Sequence, residues 1–491
     1  MSKRTKILLA IVGILVLLIA FGSWLTRGDT ADLTLDQVTG TDPVIEDPDA
    51  ETFPTINVAK ATGWAAGEAP VAAEGLSVVR FADGLDHPRT LYTLPNGDVL
   101  VALTNRPDTE GPGGIEGLIM GWLFDRAGAG TPSADEIVLL RDADGDGVAE
   151  ARAVIADDFE SPSGMAWADG TLYVAQHDAV FAVPYTLGAT SLGGEPRKLM
   201  DLPAAGGHWM RNIILSEDGT ELFVAVGSDT NIADKGMEAE EGRAMIWEYN
   251  LETNRARQFA TGLRNANGLA FNPWSGELWT TVNERDMLGS DLVPDYLTNV
   301  PIGAQYGWPW FYWGDNIDRR VDAPIPQYLD GYVRTPEYAL GPHVAALGLV
   351  FTQEGDRLSG RFGNGAFIAR HGSWNRKPAA GYDVVFVAFD ERGNPVGKPQ
   401  PVLTGFLQGD DTTKGRPTWV AWDRTGALLV SDDTAGIVWR VTDPQGQAAS
   451  APERISGARL PPQRSLDGDP REAFARERFA REQVEADAAR E

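Results

Sequence analysis

The sequence predicts an all-β protein, a six-bladed β-propeller, with an N-terminal transmembrane helix in front of it. Three observations lead there. A short apolar strand, a turn containing glycine and a second apolar strand recur six times along the chain. The 491 residues include 55 glycines and 31 prolines, enough to serve many turns. Near the start, a charge-free apolar run from Ile7 to Leu25 follows Lys3, Arg4 and Lys6.

The six copies are HPRTLYTLPNGDVLVAL from His87, SPSGMAWADGTLYVAQ from Ser161, WMRNIILSEDGTELFVAVG from Trp209 and NANGLAFNPWSGELWTTVNE from Asn265, then VAALGLVFTQ with GNGAFIARHG from Val344, and RPTWVAWDRTGALLVSDD from Arg416. Glycine tolerates positive φ in the turns NGD, ADG, EDG, WSG and RTG, and the flanks are rich in Val, Leu, Tyr, Phe and Trp, so each copy reads as a β-hairpin. A lone hairpin cannot bury its apolar face, so six of them predict a radial array that closes on itself, with roughly 60 residues per blade over residues 76–445. LSVVRF, residues 76–81, is expected to pair with the last blade and remove its exposed edge.

The apolar run 7–25 is about long enough to cross a hydrocarbon core of roughly 30 Å as a helix. The basic residues before it would stay in the cytoplasm, which places everything after Arg27 outside. Residues 1–27 therefore read as an inner-membrane anchor with the folded domain in the periplasm, a cleavable signal peptide being the competing reading. Residues 28–75, rich in Asp, Glu, Thr, Ala and Pro, read as a solvated acidic linker, and residues 446–491 as a charged, partly helical surface tail. The chain has no cysteine, which removes disulfides, thiolate metal sites and a lipid-anchor cysteine. A formal charge of −28 argues against nucleic acid as a partner.

Five histidines are available, His87, His177, His208, His343 and His371. His208, in AAGGHWMRN ahead of an apolar strand, could serve as a general base, because an imidazole near its ordinary pKa accepts a hydroxyl proton at neutrality; a satisfied loop histidine is the alternative. Arg264 and Asn265 open the fourth repeat, where a buried guanidinium needs an anionic or carbonyl partner, supplied by a ligand or by a neighbouring blade. Arg370, His371 and Arg376 in ARHGSWNRKP could meet the carboxylates of a cofactor or decorate a blade edge. DADGDGVAE places Asp142, Asp144 and Asp146 at alternate positions before Gly147, the opening of a calcium loop, with Glu150 standing in for a missing twelfth-position glutamate. No histidine pair has zinc-hydrolase spacing, and nucleophile-elbow, Rossmann and Walker signatures are lacking.

Read together, GLDHPRTLYTLPNGDVLVA, GGHWMRNIILSEDGTELFVAVGS, GLRNANGLAFNPWSGELWTTVNERDMLGSDLVPDYLTNV, YGWPWFYWG and ARHGSWNRKPAAGYDVVFV resemble the pyrroloquinoline quinone (PQQ)-dependent sugar dehydrogenases, and most nearly their L-sorbosone dehydrogenase-like branch, over residues 76–445. The resemblance implies PQQ and Ca²⁺ as cofactors and a sugar as substrate, with electrons passed to an acceptor such as a membrane quinone. It implies that His208 is the general base, that Arg264 and Asn265 contact the quinone oxygens, and that Arg370 and Arg376 face the cofactor carboxylates. It also implies main-chain calcium ligation by Arg285 and Asp286, a second calcium near Asp291, Asp295 and Tyr306, and a place near the cleft for His343, Trp308, Trp310 and Trp313. Leu103 stands where an acid is common, and residues 351–354 lack the family's cofactor lysine; both depart from the glucose-oxidising pattern. A calcium-dependent lactonase-like hydrolase and a non-enzymatic propeller that binds a partner or glycan are the competing classes.

Overall fold

In a computed structural model of the chain, residues 27–107, 114–204, 206–327 and 329–455 are described, together with Thr5 and Val12. Each of the six recurrent segments forms the first two strands of one antiparallel sheet. Sheet I holds Pro88–Thr93, Val99–Leu103, Glu136–Arg141 and Ala151–Ala156, and sheet II Gly164–Ala168, Thr171–Gln176, Ala179–Pro184 and Arg197–Asp201. Sheet III holds Ile213–Leu215, Glu221–Val226, Met245–Asn250 and Arg255–Thr261, and sheet IV Ala266–Phe271, Leu278–Val282, Pro294–Asn299 and Tyr338–Pro342. Sheet V is built from Ala346–Phe351, Gly365–Arg370, Asp383–Phe389 and Pro395–Thr404, with Val71–Ala72 added at its outer edge. Sheet VI combines Pro417–Trp422, Leu428–Asp432 and Ile437–Thr442 with Ser77–Ala82, so the N-terminal strand completes the last sheet as its sequence suggested.

The arrangement is an all-β, propeller-like fold. First strands of all six sheets line one central cavity of about 810 Å³. Second strands such as Val99–Leu103 and Leu278–Val282 are buried along their whole length, because a neighbouring sheet covers each face, and their sequences are accordingly continuous apolar runs. One apolar cluster joins Leu91, Val99 and Val138 of sheet I to Ala421, Leu429 and Val438 of sheet VI. At the sheet II hairpin, Asp169 and Gly170 both have positive φ, as a two-residue turn matching strand twist requires.

The first strands pack so closely that three positions in them admit only glycine. A Cβ on Gly164 would lie 2.5 Å from the Arg211 carbonyl oxygen, one on Gly268 would lie 2.4 Å from the Leu347 oxygen, and one on Gly348 would lie 2.6 Å from the Trp419 Cα. Thr90 Oγ1 donates to the Ser163 carbonyl, Thr281 Oγ1 to the Leu347 carbonyl (2.6 Å) and Ser431 Oγ to the Arg89 carbonyl (2.9 Å), tying sheet to sheet beside the channel.

Residues 28–75 are not the free spacer that their composition suggests. Val38, Thr55 and Ala59 are fully buried, Lys60–Ala61 pairs in parallel with Thr412–Thr413, and Asp32 N and Leu33 N donate to Asp291 Oδ2 at 2.6 and 3.0 Å. Trp64 sits edge-on to Phe406 and Trp439, each at 5.4 Å, while its Nε1 donates to Asp432 Oδ2 at 2.9 Å. The polar residues misled because they serve as backbone hydrogen-bond partners for the propeller. Among the described residues no helix is long and apolar enough to cross a membrane; the 7–25 run lies outside them, apart from Val12, as does the tail from residue 456.

Two stability outcomes follow from this packing. Gly268→Ala forces its methyl into the sheet V backbone and should cost about 2–3 kcal/mol in denaturant unfolding, whereas the same change at the open turn Gly219→Ala, where nothing lies within 4 Å, costs only its φ strain. Trp64→Ala should lower stability by about 2 kcal/mol; an unchanged midpoint would mean that the segment is not docked in solution.

Candidate functional site

In each sheet the connection from the second to the third strand, and the one leading into the next sheet, emerge at the same end. That end gathers the chemistry. His208 precedes the first strand of sheet III, Arg264 that of sheet IV and His343 that of sheet V, while Glu284–Asp286, His371 and Asp433 follow the second strands of sheets IV, V and VI. His87, Arg89 and Arg416 stand at the start of the first strands of sheets I and VI.

The His208 ring is held through Nδ1. Its Nδ1 lies 2.9 Å from the Ser228 carbonyl oxygen and 3.1 Å from Ser228 Oγ. A carbonyl can only accept, so Nδ1 carries the proton and Nε2 carries the free lone pair. Burial, and then the nearby Arg264 charge, push its pKa down to about 3, so the imidazole is a neutral acceptor throughout the physiological range. The loop itself is anchored by the buried Arg211, whose Nη1 donates to the His208 carbonyl at 2.8 Å and whose Nη2 donates to the Pro203 carbonyl at 3.0 Å. Gly227 separates His208 from Asn265: a Cβ there would come within 2.7 Å of His208 Cβ and 2.4 Å of Asn265 Oδ1.

Arg264 is buried beside them. Its Nε donates to the Asn231 carbonyl (3.1 Å), Nη1 to the Glu284 carbonyl (2.7 Å) and Nη2 to Asn231 Oδ1 (2.9 Å), with Asp286 Oδ2 at 3.4 Å. The Asp286 carboxylate also accepts from Asn375 Nδ2 at 2.7 Å and lies 3.5 Å from His343 Nδ1. Burial would raise the pKa of Asp286, but His343 and Arg264 hold it below its ordinary range; burial would lower that of His343, but Asp286 holds the imidazole above its ordinary value. The Trp308 Nε1 closes this side with a 3.0 Å bond to the Asn231 carbonyl.

Across the mouth, Asp433 collects His371 Nε2 at 2.9 Å, His87 Nε2 at 3.5 Å and the Arg89 guanidinium. Burial opposes the ionised form of Asp433, yet these partners keep its pKa well below the carboxylate range. Burial lowers His371 to about 4, so it too is neutral near pH 7. Arg89 stacks on the ring of Trp209, 5.7 Å from its centroid, which connects this cluster to the His208 loop. Nearby, Arg416 Nη2 donates to the Tyr382 hydroxyl at 3.0 Å. The Nε atoms of Arg89 and Arg416 are buried donors with no protein acceptor.

Several expected ligands are placed differently. The Arg370 guanidinium is spent on a bidentate pair with Asp383 (2.7 and 2.5 Å) and on the Leu340 carbonyl, so it does not face the mouth. Arg376 is buried against the Pro378 carbonyl and Asp291, and Asp291 in turn receives the amides of Asp32 and Leu33; both serve to seat the N-terminal segment. Asp295 accepts the amides of Glu284 and Ala345, each at 2.7 Å, and burial pushes its pKa up to about 7 against those two donors. The Tyr306 hydroxyl bonds the Asn299 carbonyl inside the sheet III and IV core, stacked on Tyr296. Trp310 and Trp313 pack in cores as well, and His177 pairs with Glu160.

The main-chain calcium position does not fit the residues present. The Asp286 carbonyl accepts from Asn231 Nδ2 at 3.1 Å and from Arg320 Nη1 at 2.9 Å, which uses both of its lone pairs, and Arg320 also holds the Met287 carbonyl at 2.8 Å. A guanidinium already occupies the place of a cation, and the Arg285 side chain is buried between Glu284 and Asp318. Among the described residues, only Asp142, Asp144, Asp146 and Glu150 bring ligand oxygens of three or more such side chains within 4.8 Å of one another, in a connection at the opposite end of sheet I.

Sequence reasoning missed Arg89, Asp433, Arg416, Arg211, Asn231 and Arg320. A signal for three of them existed. With the close-packed glycines aligned, His87, Asn265 and Arg416 occupy one repeat position, and Arg89 and Arg211 occupy another two residues later.

The family model described as TrAA12-like matches residues 136–300 and 328–444, more than half of the chain. A pyrroloquinoline quinone-dependent sugar dehydrogenase of Hypocrea jecorina is 23% identical over 424 residues, 76% of this chain and 89% of that protein. An uncharacterized protein of Borreliella burgdorferi is 26% identical over 298 residues, 58% of this chain and 77% of that one. The chain matches 39% of the length of a pyrroloquinoline quinone-dependent pyranose dehydrogenase of Coprinopsis cinerea, at 25% identity. Two solved structures share the fold. One is a Trichoderma reesei enzyme of Carbohydrate-Active Enzymes family AA12, with TM-score 0.61 and 22% identity over 76% of this chain and 98% of that one. The other is the holo form of the Coprinopsis cinerea pyranose dehydrogenase PQQ domain, with TM-score 0.60 and 20% identity over 79% and 100%. Through the family match, the chain belongs to the TrAA12-like family.

Proposed function

We propose that this protein is a PQQ-dependent oxidoreductase acting on a sugar, an aldose or a sugar aldehyde of the L-sorbosone type, within a ring whose six sheets are the six blades of a propeller. One observation carries the reading: a chain of net charge −28 gathers His87, Arg89, His208, Arg264, His343, His371 and Arg416 at the start of its first strands or the loops beside them, around one mouth. Such a rim suits a flat acid with several carboxylates.

When bound, PQQ supplies a quinone able to accept a hydride from a carbinol carbon. The protein's share is the proton and the charge. His208 Nε2, kept unprotonated by burial and aimed outward by the Nδ1 bond to Ser228, takes the proton of the sugar hydroxyl. Arg264 cannot turn away, since three of its bonds hold it, and it offers positive charge beside the acceptor position. Asp286 and His343 fix the orientation of that wall. The apolar run 7–25 supports a periplasmic location at the inner membrane and a membrane quinone as the next acceptor. Calcium we assign to the Asp142–Glu150 loop, at the far end, as a stabilising ion.

PQQ added to the full chain should quench tryptophan fluorescence and permit reduction of an artificial dye by an aldose. His208→Gln should keep PQQ binding and lower kcat by about 10²-fold or more; loss of neither binding nor turnover in this variant would refute the assignment of the base. Because the His208 pKa is lowered, its basic form persists as pH falls, so kcat/KM should show no acid limb near 6.5 but one below about pH 5. Absence of any PQQ binding at micromolar concentration would end the redox reading.

Chelation should leave PQQ affinity unchanged within about threefold, because Arg320 takes the Asp286 carbonyl, one of the two expected to hold the ion. Added Ca²⁺ should raise the melting temperature of the wild type and not of Asp144→Asn. A PQQ affinity that collapses in chelator would show that the ion sits at the mouth after all.

A further inference from the structure

Exposed apolar side chains gather on one side of the end that carries the mouth. The connection between the second and third strands of sheet I contains a helix, α1, Gly114–Ala127. Leu123 and Ala127 bury themselves against Val58, whereas Leu118 is 76% exposed and Trp122 61%. Phe53, Ile56 and Trp374 are exposed as well. The parts are joined by hydrogen bonds: Arg126 Nε donates to the Val58 carbonyl (2.8 Å) and Asn57 N to the Trp374 carbonyl (2.7 Å). The C-terminal end of α1 reaches the mouth, since a Cβ on Gly128 would lie 2.5 Å from Thr434 Cγ2, next to Asp433.

A second observation is independent of that surface. Lys377 Nζ donates to the Arg27 carbonyl at 2.7 Å, Ala31 N donates to the Lys377 carbonyl at 2.7 Å, and Asn57 Nδ2 donates to the Arg376 carbonyl at 3.0 Å. The point where the 7–25 run joins the described fold is thus at the same end as the mouth, and Trp374–Lys377 link it directly to the apolar rim.

We propose that this rim, α1 with Phe53, Ile56 and Trp374, rests in the surface of a lipid bilayer, so that the mouth opens toward the membrane. A 14-residue helix is about 21 Å long, too short to span a core of roughly 30 Å, but it can lie in the interface. The acidic body gains nothing from anionic headgroups, so adhesion comes from apolar burial. Arg126 over the Trp122 ring (5.9 Å) and Arg106 over the Phe124 ring (5.2 Å) set guanidinium groups beside aromatic rings, the pairing that suits the level of lipid phosphates. The inference builds on the reading of residues 7–25 as a membrane segment and goes beyond the redox reading. PQQ binding can succeed or fail without touching it.

The chain has no cysteine, so single cysteines can carry an environment-sensitive NBD fluorophore. The probe is the full chain bound to phosphatidylcholine vesicles, labelled through Trp122→Cys or, at the opposite end between the third and fourth strands of sheet III, through Glu252→Cys. At position 122 the emission should shift to the blue, be quenched by spin-labelled lipid tails, and be reduced by aqueous dithionite about fivefold more slowly than at position 252. Three results would each overturn the proposal: equal reduction at both positions, failure of the full chain to float with vesicles, or shielding of position 122 before lipid is added, which would assign the rim to a second copy or to another part of the chain. Leu118→Ser with Trp122→Ser should leave PQQ binding intact while weakening the lipid-tail quenching of a label at Ile56→Cys; undiminished quenching there would count against α1.

Discussion

Close approach of the first strands is the constraint from which the site follows. Gly164, Gly268 and Gly348 sit where the backbone of the next sheet leaves no room for a methyl group, and Thr90, Thr281 and Ser431 bond from sheet I to II, from IV to V and from VI to I. Backbones held at that distance fix the starts of six strands relative to one another. Residues one to four places before the glycine positions, among them His208, Arg264, Asn265, Arg211 and Arg416, are therefore brought together although up to about 200 residues separate them. The geometry of the mouth is a property of the ring, and no single loop could produce it.

Burying so many ionisable groups at one place is costly unless each has partners. Here two carboxylates do most of the compensation. Asp286 lies between Arg264 and His343, Asp433 among His371, His87 and Arg89, and both remain ionised because those cations and imidazoles outweigh their desolvation. The imidazoles divide accordingly. His343, against Asp286, is held toward its charged form, while His208 and His371 are held neutral by burial. Only a histidine of the second kind can accept a proton at neutral pH, and of these His208 alone has its Nδ1 committed to a carbonyl, which leaves Nε2 basic.

The hairpins were legible because turn glycines and apolar strands report local physics: all six repeats became the first two strands of a sheet, and residues 77–82 closed the last one. That His208 and Arg264 stand at the entries of sheets III and IV was legible through their place in the repeats. What failed was side-chain destination. Arg370 ends a strand and its neighbour His371 begins the following connection, so adjacent residues diverge, one to Asp383 within the sheet and one to Asp433 at the mouth. Asp433 itself hid inside SDDTAG, indistinguishable from a turn. Residues 28–75 look like a solvated linker by composition, yet their polar groups are consumed by backbone contacts such as Asp29 with Ser290 and Lys398 with Thr39, which no periodicity announces.

The acceptors that hold each arginine decide what it can do for a ligand. Arg370 and Arg376 pair with carboxylates, so their charge is cancelled where it stands. Arg211 and Arg264 are held chiefly by carbonyls, and Arg416 by a tyrosine hydroxyl; these acceptors satisfy geometry without removing charge. Positive potential therefore survives at the mouth of a protein whose overall charge is strongly negative, and it is fixed before any ligand arrives. An anionic ligand entering there would meet donors that need no reorganisation, and a neutral imidazole, His208, whose own basicity that same potential restrains.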